Sequence, residues 1–211
     1  MQLIGQYDSP FVRRVGIALT LYGHAFEHLP FSTFADGDKF RAHNPLRRVP
    51  TLVLGSGEAL IDSGAILDYL DELAGPDRAL IAPSGPARRA ALRRIALATG
   101  MADKAVAYFY ARLFAPSLDP AFAQRCEDQL KAGLAALDAE CAARTGDWWH
   151  WEAPGHDDIA AACATRFVSE AFGWLVSLTD YPALAAHCAR AEALPVFQAI
   201  SQELSRRASR P

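Results

Sequence analysis

The strongest constraint on the fold is a break in the sequence pattern at residues 74–86, which read AGPDRALIAPSGP. Three prolines and two glycines in this short stretch favour a turn-rich connection over a helix or a strand. Short apolar runs alternate with helical stretches before it, and only helical stretches follow it. We therefore predict two domains, at 1–76 and 87–211, joined by a linker at 77–86.

Before the linker, the pattern predicts the order β-α-β-α-β-β-α, which is an α/β unit. Strands are predicted where short apolar runs meet turn residues, and the Gly55-Ser56-Gly57 stretch indicates a hairpin. The predicted strands are 2–6, 26–30, 51–54 and 59–61, and the predicted helices are 10–22, 36–43 and 63–73.

After the linker, apolar residues recur every three or four positions, which is the period of an amphipathic helix. The three long stripes run over 92–113, 122–141 and 159–174. Two shorter helices are expected to begin at Pro182 and Pro195, because proline is well tolerated in the first turn. The sequence therefore predicts an all-helical second domain.

Charge and composition exclude several function classes. The net charge is −3, whereas a general nucleic-acid binder is normally basic. No apolar run approaches the ~20 residues that span a bilayer, and the first residues lack a signal-peptide pattern. Four cysteines and six histidines show no disulfide or metal-site spacing. We expect a cytoplasmic protein with reduced cysteines, no metal, and no nucleic-acid or membrane partner.

Ser9 and Pro10 form a plain helix start, with serine as N-cap and proline in the first turn. This structural role alone explains both residues. The same position also allows chemistry, since a helix N-terminus favours a bound anion such as a thiolate. A hydroxyl there can donate one more hydrogen bond to that anion.

Two further places admit both a structural and a functional interpretation. Pro50 fits the first position of a strand with an ordinary trans bond, or a cis-proline that turns the Val49 backbone outward to pair with a peptide. Asp62 and Ser63 fit a helix cap, or a site in which Asp62 holds an ammonium group and Ser63 a carboxylate.

Together and in this order, these segments resemble a cytosolic glutathione transferase. The matching parts are S-P-F-V-R-R at 9–14, N-P-L-R-R-V-P-T-L-V at 44–53 and I-D-S-G-A-I-L-D-Y-L-D-E at 61–72. They are similar to the serine-type classes, including the tau-like and related bacterial members. The resemblance covers essentially the whole chain and implies a thioredoxin-like α/β N-terminal domain followed by an all-α C-terminal helical domain.

The resemblance also implies how glutathione would be bound. Arg48 would meet its glycine end. Val49 would bond the cysteinyl backbone, with Pro50 in the cis form. Asp62 and Ser63 would hold the γ-glutamyl group.

By the same resemblance, Ser9 lies where the glutathione sulfur is activated. Members with an active-site thiol have cysteine there, so a redox-active thiol is not expected at this site. The zeta-type isomerase signature S-S-C-x-W is also absent. Tyr7 remains a rival hydroxyl, because the tyrosine-type classes place theirs near the start of the chain as well.

The resemblance implies an apolar substrate pocket between the domains. The residues expected to line it are Tyr7, Phe11, Phe34, Tyr108, Phe109 and Arg112, although such apolar helix faces are also typical of a core. The family has a Ser/Thr-x-x-Asp capping box before its buried helix. Here Asp158 matches and Gly155 replaces the hydroxyl, which costs only a few tenths of a kcal/mol.

The expected activity is conjugation of glutathione, as co-substrate, to small hydrophobic electrophiles in detoxification. The alternative is a non-catalytic binding or assembly module with the same fold. Isomerase, dehalogenase and peroxidase reactions with glutathione remain open, and the sequence does not identify the electrophile. The family resemblance implies a homodimer, with contacts expected at helices 63–73 and 88–105.

Overall fold

The computed structural model describes residues 1–33, 35–36, 39, 41–150 and 152–204. The strands are β1 (Gln2–Ile4), β2 (Glu27–Leu29), β3 (Thr51–Val53) and β4 (Ala59–Ile61). The helices are α1 (Pro10–Leu21), α2 (Ser63–Ala74), α3 (Gly85–Phe114), α4 (Pro120–Ala142), α5 (His156–Phe172), α6 (Pro182–Glu192) and α7 (Pro195–Ala199), with a 3₁₀ turn at Leu178–Asp180. Phe34 and part of the predicted helix at 36–43 lie outside the described residues.

The sheet has the strand order β2-β1-β3-β4. β1 pairs parallel with β2 and antiparallel with β3, and β3 pairs antiparallel with β4. Leu3 and Leu52 lie opposite each other and pack in the main core with Leu70 of α2. Ile4 and Val53 form a separate small cluster. This mixed sheet with its helices is the predicted thioredoxin-like domain.

The buried face of α3 differs from the predicted stripe by about one residue. Leu92, which begins the stripe, is 44% exposed, whereas its neighbour Ala91 is fully buried. Arg94 is also buried, because its Nε donates to the Asp157 carboxylate of α5 at 2.9 Å. An apolar pattern cannot reveal a buried arginine, so the predicted stripe matches the buried face at Ala98 and Ala102 but not at its start.

The N-terminus of α5 confirms the expected cap. Gly155 is the N-cap residue, and its N–H donates to the Asp158 carboxylate at 2.9 Å. The helix therefore forms without the capping hydroxyl. α5 is buried around most of its circumference and lies at the centre of the helical domain.

A group of polar side chains fastens the linker to both domains. The Tyr22 hydroxyl donates to the Asp71 carboxylate, and His156 Nε2 lies 3.0 Å from the same carboxylate. The Leu80 N–H donates to the Tyr22 hydroxyl at 2.8 Å. Helices α1, α2 and α5 therefore meet the linker at one hydrogen-bonded point.

Two simpler expectations concern the cysteines and the membrane. Cys126, Cys141, Cys163 and Cys188 are free and buried. Within the part of the chain that the structure describes, no helix is long and apolar enough to cross a membrane.

Candidate functional site

Ser9 lies at the N-terminus of α1 with extended backbone geometry, and Pro10 begins the helix. Its hydroxyl oxygen accepts a long hydrogen bond of 3.4 Å from the Val12 N–H. The hydroxyl proton has no acceptor among the described residues, so it can be donated to a ligand. Both interpretations of Ser9 therefore fit, because one hydroxyl can cap the helix weakly and donate outward.

Tyr7 lies in a different environment from Ser9. Its side chain is 9% exposed, and its ring stacks on the His28 ring with the centroids 3.8 Å apart. The ring also lies against Gly16 of α1, where an added Cβ would come within 2.8 Å of Tyr7 Cε1. Burial raises the pKa of the Tyr7 hydroxyl to about 12. Tyr7 thus packs as a core side chain, whereas Ser9 lines a cavity.

The peptide bond between Val49 and Pro50 is cis, as the family resemblance implies. The backbone N–H and C=O of Val49 make no hydrogen bond to a described residue. Gly5 permits the close approach of this segment, because an added Cβ would lie 2.8 Å from Val49 Cβ and 2.6 Å from Val12 Cγ2. Gly5 also has a φ of 129°, which favours glycine.

Asp62 and Ser63 begin α2, and both contribute to the site. The Asp62 carboxylate caps the helix by accepting from the Gly64 N–H at 2.7 Å, and its φ is 71°. A non-glycine residue in this region is uncommon and is often associated with function. Ser63 is 3% exposed, and its hydroxyl oxygen accepts from Arg14 Nη2 at 2.8 Å.

Arg14 is a site residue that the sequence analysis missed. It is 4% exposed, and its Nε and Nη1 have no hydrogen-bond partner among the described residues. Burial lowers its pKa to about 10, although Asp62 opposes the shift, so the guanidinium stays charged at neutral pH. The apolar pattern of α1 gives no signal that this arginine faces inward.

Two neighbouring cavities open at these residues. The smaller, of about 190 Å³, is lined by polar and backbone groups that include Arg14, Arg48, Val49, Pro50, Asp62 and Ser63. The larger, of about 610 Å³, is mainly apolar and lies between the domains; its lining includes Ser9, Phe11, Phe31, Val106, Phe109, Tyr110, Leu113, Phe167 and Leu204. Phe11, Arg48, Val49 and Asp103 border both cavities. Ser9 therefore lies near the junction of a polar and an apolar space.

Only part of the expected apolar pocket is where the sequence placed it. Phe11 and Phe109 line the larger cavity, whereas Phe34 lies outside the described residues. Tyr108 points away: it is 1% exposed and its hydroxyl donates to Glu127 at 2.8 Å. Arg112 lies over the Trp174 ring at 4.4 Å.

The helical period explains these positions. At about 100° per residue, Val106, Phe109 and Leu113 share one face of α3, and Tyr108 and Arg112 share a different face, roughly 110° around the helix. Tyr108 and Arg112 therefore do not belong to the lining, in contrast to the expectation. Tyr110, Phe31, Phe167 and Leu204, which the sequence analysis missed, complete the apolar wall.

Arg48 is exposed and forms an ion pair with Asp103 of α3 at 3.4 Å between Nη2 and Oδ1. It borders both cavities, where it can meet an anionic group of a ligand. Among the described residues, no group of three or more His, Cys, Asp or Glu side chains is placed to hold a metal ion.

Comparison with known proteins identifies the family. A family model described as "Glutathione S-transferase, N-terminal domain" matches residues 3–78. The chain is 32% identical over 178 residues to the probable glutathione S-transferase BZ2 of Zea mays, covering 77% of this chain and 72% of the relative. The chain belongs to the glutathione S-transferase family.

Solved and curated relatives add to this family assignment. A glutathione S-transferase from Methylobacterium radiotolerans, solved in complex with glutathione sulfonate, is 30% identical with a TM-score of 0.87 and 98% coverage of both chains. A maleylacetoacetate isomerase from Pseudomonas aeruginosa is 42% identical over 105 residues, which cover 47% of this chain and 49% of that protein. The chain thus spans about half the length of the first curated relatives it matches.

Proposed function

We propose that the protein conjugates the thiolate of glutathione to small hydrophobic electrophiles, with the Ser9 hydroxyl stabilising the thiolate. The observation that carries this proposal is the position of Ser9. Its hydroxyl proton is available at a helix N-terminus in the wall of the apolar cavity, two residues before Phe11, which also borders the polar cavity. A relative of known structure holds glutathione sulfonate, which supports glutathione as the ligand of the polar cavity.

The Ser9 hydroxyl and the helix N-terminus can supply the free energy that is needed to stabilise the thiolate. A cysteine thiol has a pKa near 8.5, and lowering it by about two units needs about 2.7 kcal/mol of preference for the anion. A hydrogen bond to a charged acceptor contributes roughly 1.5–3 kcal/mol, and a helix N-terminus roughly 0.3–1 kcal/mol. Together they suffice without a general base, so Ser9 stays neutral.

The same polar groups orient glutathione in this proposal. The γ-glutamyl ammonium pairs with the Asp62 carboxylate, and its carboxylate meets the Ser63 hydroxyl. Arg14 adds positive charge behind Ser63, and two of its nitrogens have no partner among the described residues, which favours an anion there. The cysteinyl backbone pairs with the peptide groups of Val49, and the glycine carboxylate meets Arg48.

The reaction follows from this orientation. The thiolate sulfur forms a bond to the electrophilic carbon, and a leaving group departs with its bonding electron pair. The aromatic lining around Phe11 and Phe109 holds an apolar electrophile by excluding water from its surface. The sulfur and the electrophile are thereby kept in contact.

We further propose that the protein is a cytoplasmic homodimer that acts in detoxification, with domains at 1–76 and 87–211. Leu73 of α2 and Leu92 of α3 are 49% and 44% exposed, which supports an apolar contact between two copies. We expect the contact on the helices at 63–73 and 88–105.

Binding and turnover measured together test this proposal. Isothermal titration calorimetry with glutathione should show binding, and chlorodinitrobenzene with glutathione should give the conjugate. Binding without conjugation of any electrophile would support the non-catalytic module instead. No binding at all would overturn the transferase and favour a non-catalytic assembly module that does not use glutathione.

A further inference from the structure

The segment 200–204 forms part of the wall of the larger cavity. Leu204 lines this cavity together with Ser9 of α1 and Phe167 of α5. Its neighbour Glu203 is exposed and is not part of the lining. Leu204 is therefore the apolar side chain of this segment that faces the larger cavity.

Four side chains of alternating charge run beside this segment. Arg13 of α1 is 2% exposed and donates two hydrogen bonds to the Glu192 carboxylate of α6, at 2.5 and 2.7 Å. Arg166 Nη1 of α5 lies 3.3 Å from the same carboxylate, and its Nε lies 2.7 Å from Glu170. The chain of charges thus joins three helices from both domains.

These side chains hold the segment through its backbone and one hydroxyl. The bonds are Arg13 Nε to the Ile200 carbonyl (2.8 Å), Arg166 Nη1 to Ser201 Oγ (2.8 Å), and the Leu204 N–H to the Glu170 carboxylate (3.0 Å). In addition, the Tyr7 N–H donates to the Gln202 side-chain oxygen at 3.2 Å. The position of Leu204 is therefore fixed by hydrogen bonds.

The bonds also link this wall to the proposed sulfur site. Arg13 lies one helical turn after Ser9, and Tyr7 lies two residues before it. The start of α1 therefore carries both the thiolate donor and the attachment of the segment. This connection ties the segment that carries Leu204 to the helix start that carries Ser9.

We infer that Leu204 is a specificity-determining residue that limits the length of the electrophile, and that Glu170 is a positioning residue that holds it through the Leu204 N–H. This inference rests on the proposed conjugation activity. The substrate class it names is an apolar electrophile whose tail, remote from the reactive carbon, ends against Leu204.

A homologous series of straight-chain alkyl isothiocyanates tests the inference, because the reactive group stays constant while the tail grows. The thiolate sulfur bonds to the central carbon, the C=N electron pair moves to nitrogen, and nitrogen takes a proton from water. Each methylene buried in the cavity should raise kcat/KM about fourfold until the tail meets the wall. Beyond that length the gain should stop.

Leu204→Ala should move this limit to tails about two or three methylenes longer, since the substitution removes three carbon atoms. The longest substrates should gain roughly fifteen- to sixtyfold in kcat/KM relative to the shortest, at about fourfold for each added methylene. Glu203→Ala is the matched control in the same segment and should keep the parental profile. Leu204→Phe should move the limit to shorter tails, which provides a second test if the alanine variant folds poorly.

Glu170→Ala removes the acceptor of the Leu204 N–H and should shift the profile in the same direction as Leu204→Ala. Glu170→Gln retains an acceptor oxygen and should restore most of the parental profile. In the Leu204→Ala background, Glu170→Ala should cause no further shift. A purely structural role would instead lower kcat/KM equally for every tail length.

The outcomes separate this inference from the proposed function. If the parent conjugates isothiocyanates and the profile is the same in the parent, Leu204→Ala and Leu204→Phe, the inference is overturned and the proposed function stands. A uniform loss across the series also overturns it. If the parent conjugates no electrophile, the proposed function fails and the inference fails with it.

Discussion

Ser63 accepts a hydrogen bond of 2.8 Å from Arg14, and both side chains are almost fully buried. Because the Ser63 oxygen is engaged in this way, its own proton can be donated into the polar cavity. Two other nitrogens of Arg14 have no partner among the described residues. A buried cation without a paired anion is unfavourable, so this arrangement favours an anionic ligand.

Arg14→Met should weaken glutathione binding by roughly ten- to a hundredfold, because it removes the positive charge behind Ser63 and the charged hydrogen bond that orients the Ser63 hydroxyl, and a bond of this kind contributes roughly 1.5–3 kcal/mol. Isothermal titration calorimetry measures the change. The control is a glutathione analogue without the α-carboxylate, which should bind the parent and the variant equally. An equal loss of affinity for glutathione and for the analogue would contradict the assignment of Arg14 to that carboxylate.

Ser9→Ala should raise the pKa of the bound glutathione thiol by about one to two units, because the variant loses roughly 1.5–3 kcal/mol of hydrogen bonding to the thiolate. Thiolate absorbance against pH measures this pKa. Conjugation at neutral pH should fall accordingly, while glutathione affinity changes little. A large loss of affinity with an unchanged thiol pKa would speak against this role for Ser9.

Tyr7→Phe should leave the pKa of bound glutathione nearly unchanged. The Tyr7 ring is buried against His28, and burial raises the pKa of its hydroxyl to about 12. The same absorbance titration applies to this variant. If Tyr7→Phe raises the thiol pKa and Ser9→Ala does not, the hydroxyl has been misassigned and Ser9 is only the helix cap.

The fold was predictable because its signals are local. Pro10, Gly155 and the turn-rich stretch between Ala74 and Gly85 each act on their own neighbours, through capping and turn preferences that short sequence stretches carry. The same holds for Asp62, which caps α2 by accepting from the Gly64 N–H. The order of strands and helices follows from such signals.

The remaining site residues depend on contacts between distant segments. Arg14 is buried because it meets Ser63, forty-nine residues away along the chain. Arg94 is buried because it meets Asp157, and Tyr108 on the same helix is buried as well. Hydrophobic periodicity treats every arginine as exposed, so it could not identify these faces.

The proposed homodimer predicts a solution mass of twice the 22.9 kDa chain. Leu92→Glu should shift the protein towards the monomer, because it would place a charge in an apolar contact. Phe122→Glu is the matched control, since Phe122 is similarly exposed but lies on α4, outside the proposed contact. Light scattering at micromolar concentration measures both. A parent that is monomeric there would contradict the proposal.

The final prediction concerns two buried groups in the helical domain. His187 Nδ1 lies 3.8 Å from Asp158 Oδ1, and both side chains are fully buried. Burial, with the neighbouring Asp157, raises the pKa of Asp158 to about 7, and burial lowers the pKa of His187 to about 4. The neutral ring fits its contacts, because His187 Nδ1 can accept from Arg144 Nη1 at 2.7 Å.

These two shifts act on stability with opposite signs. The unfolded His187 titrates at 6.5, so between pH 6.5 and 4 the unfolded chain binds the extra proton and stability falls with falling pH. The unfolded Asp158 titrates at 3.8, so between about pH 4 and 7 the folded chain binds the extra proton and stability falls with rising pH. In the shared window, from about pH 4 to 6.5, the two contributions largely cancel.

Removing either titratable group should therefore reveal the pH dependence of stability that the other group contributes. Relative to the parent, Asp158→Asn should make the free energy of unfolding increase with pH across this window, by up to about 1.4 kcal/mol per pH unit. His187→Asn should make it decrease with pH by a similar slope. Urea unfolding followed by circular dichroism at several pH values measures all three proteins. Parallel curves for the parent and both variants would show that neither group changes its proton affinity on folding.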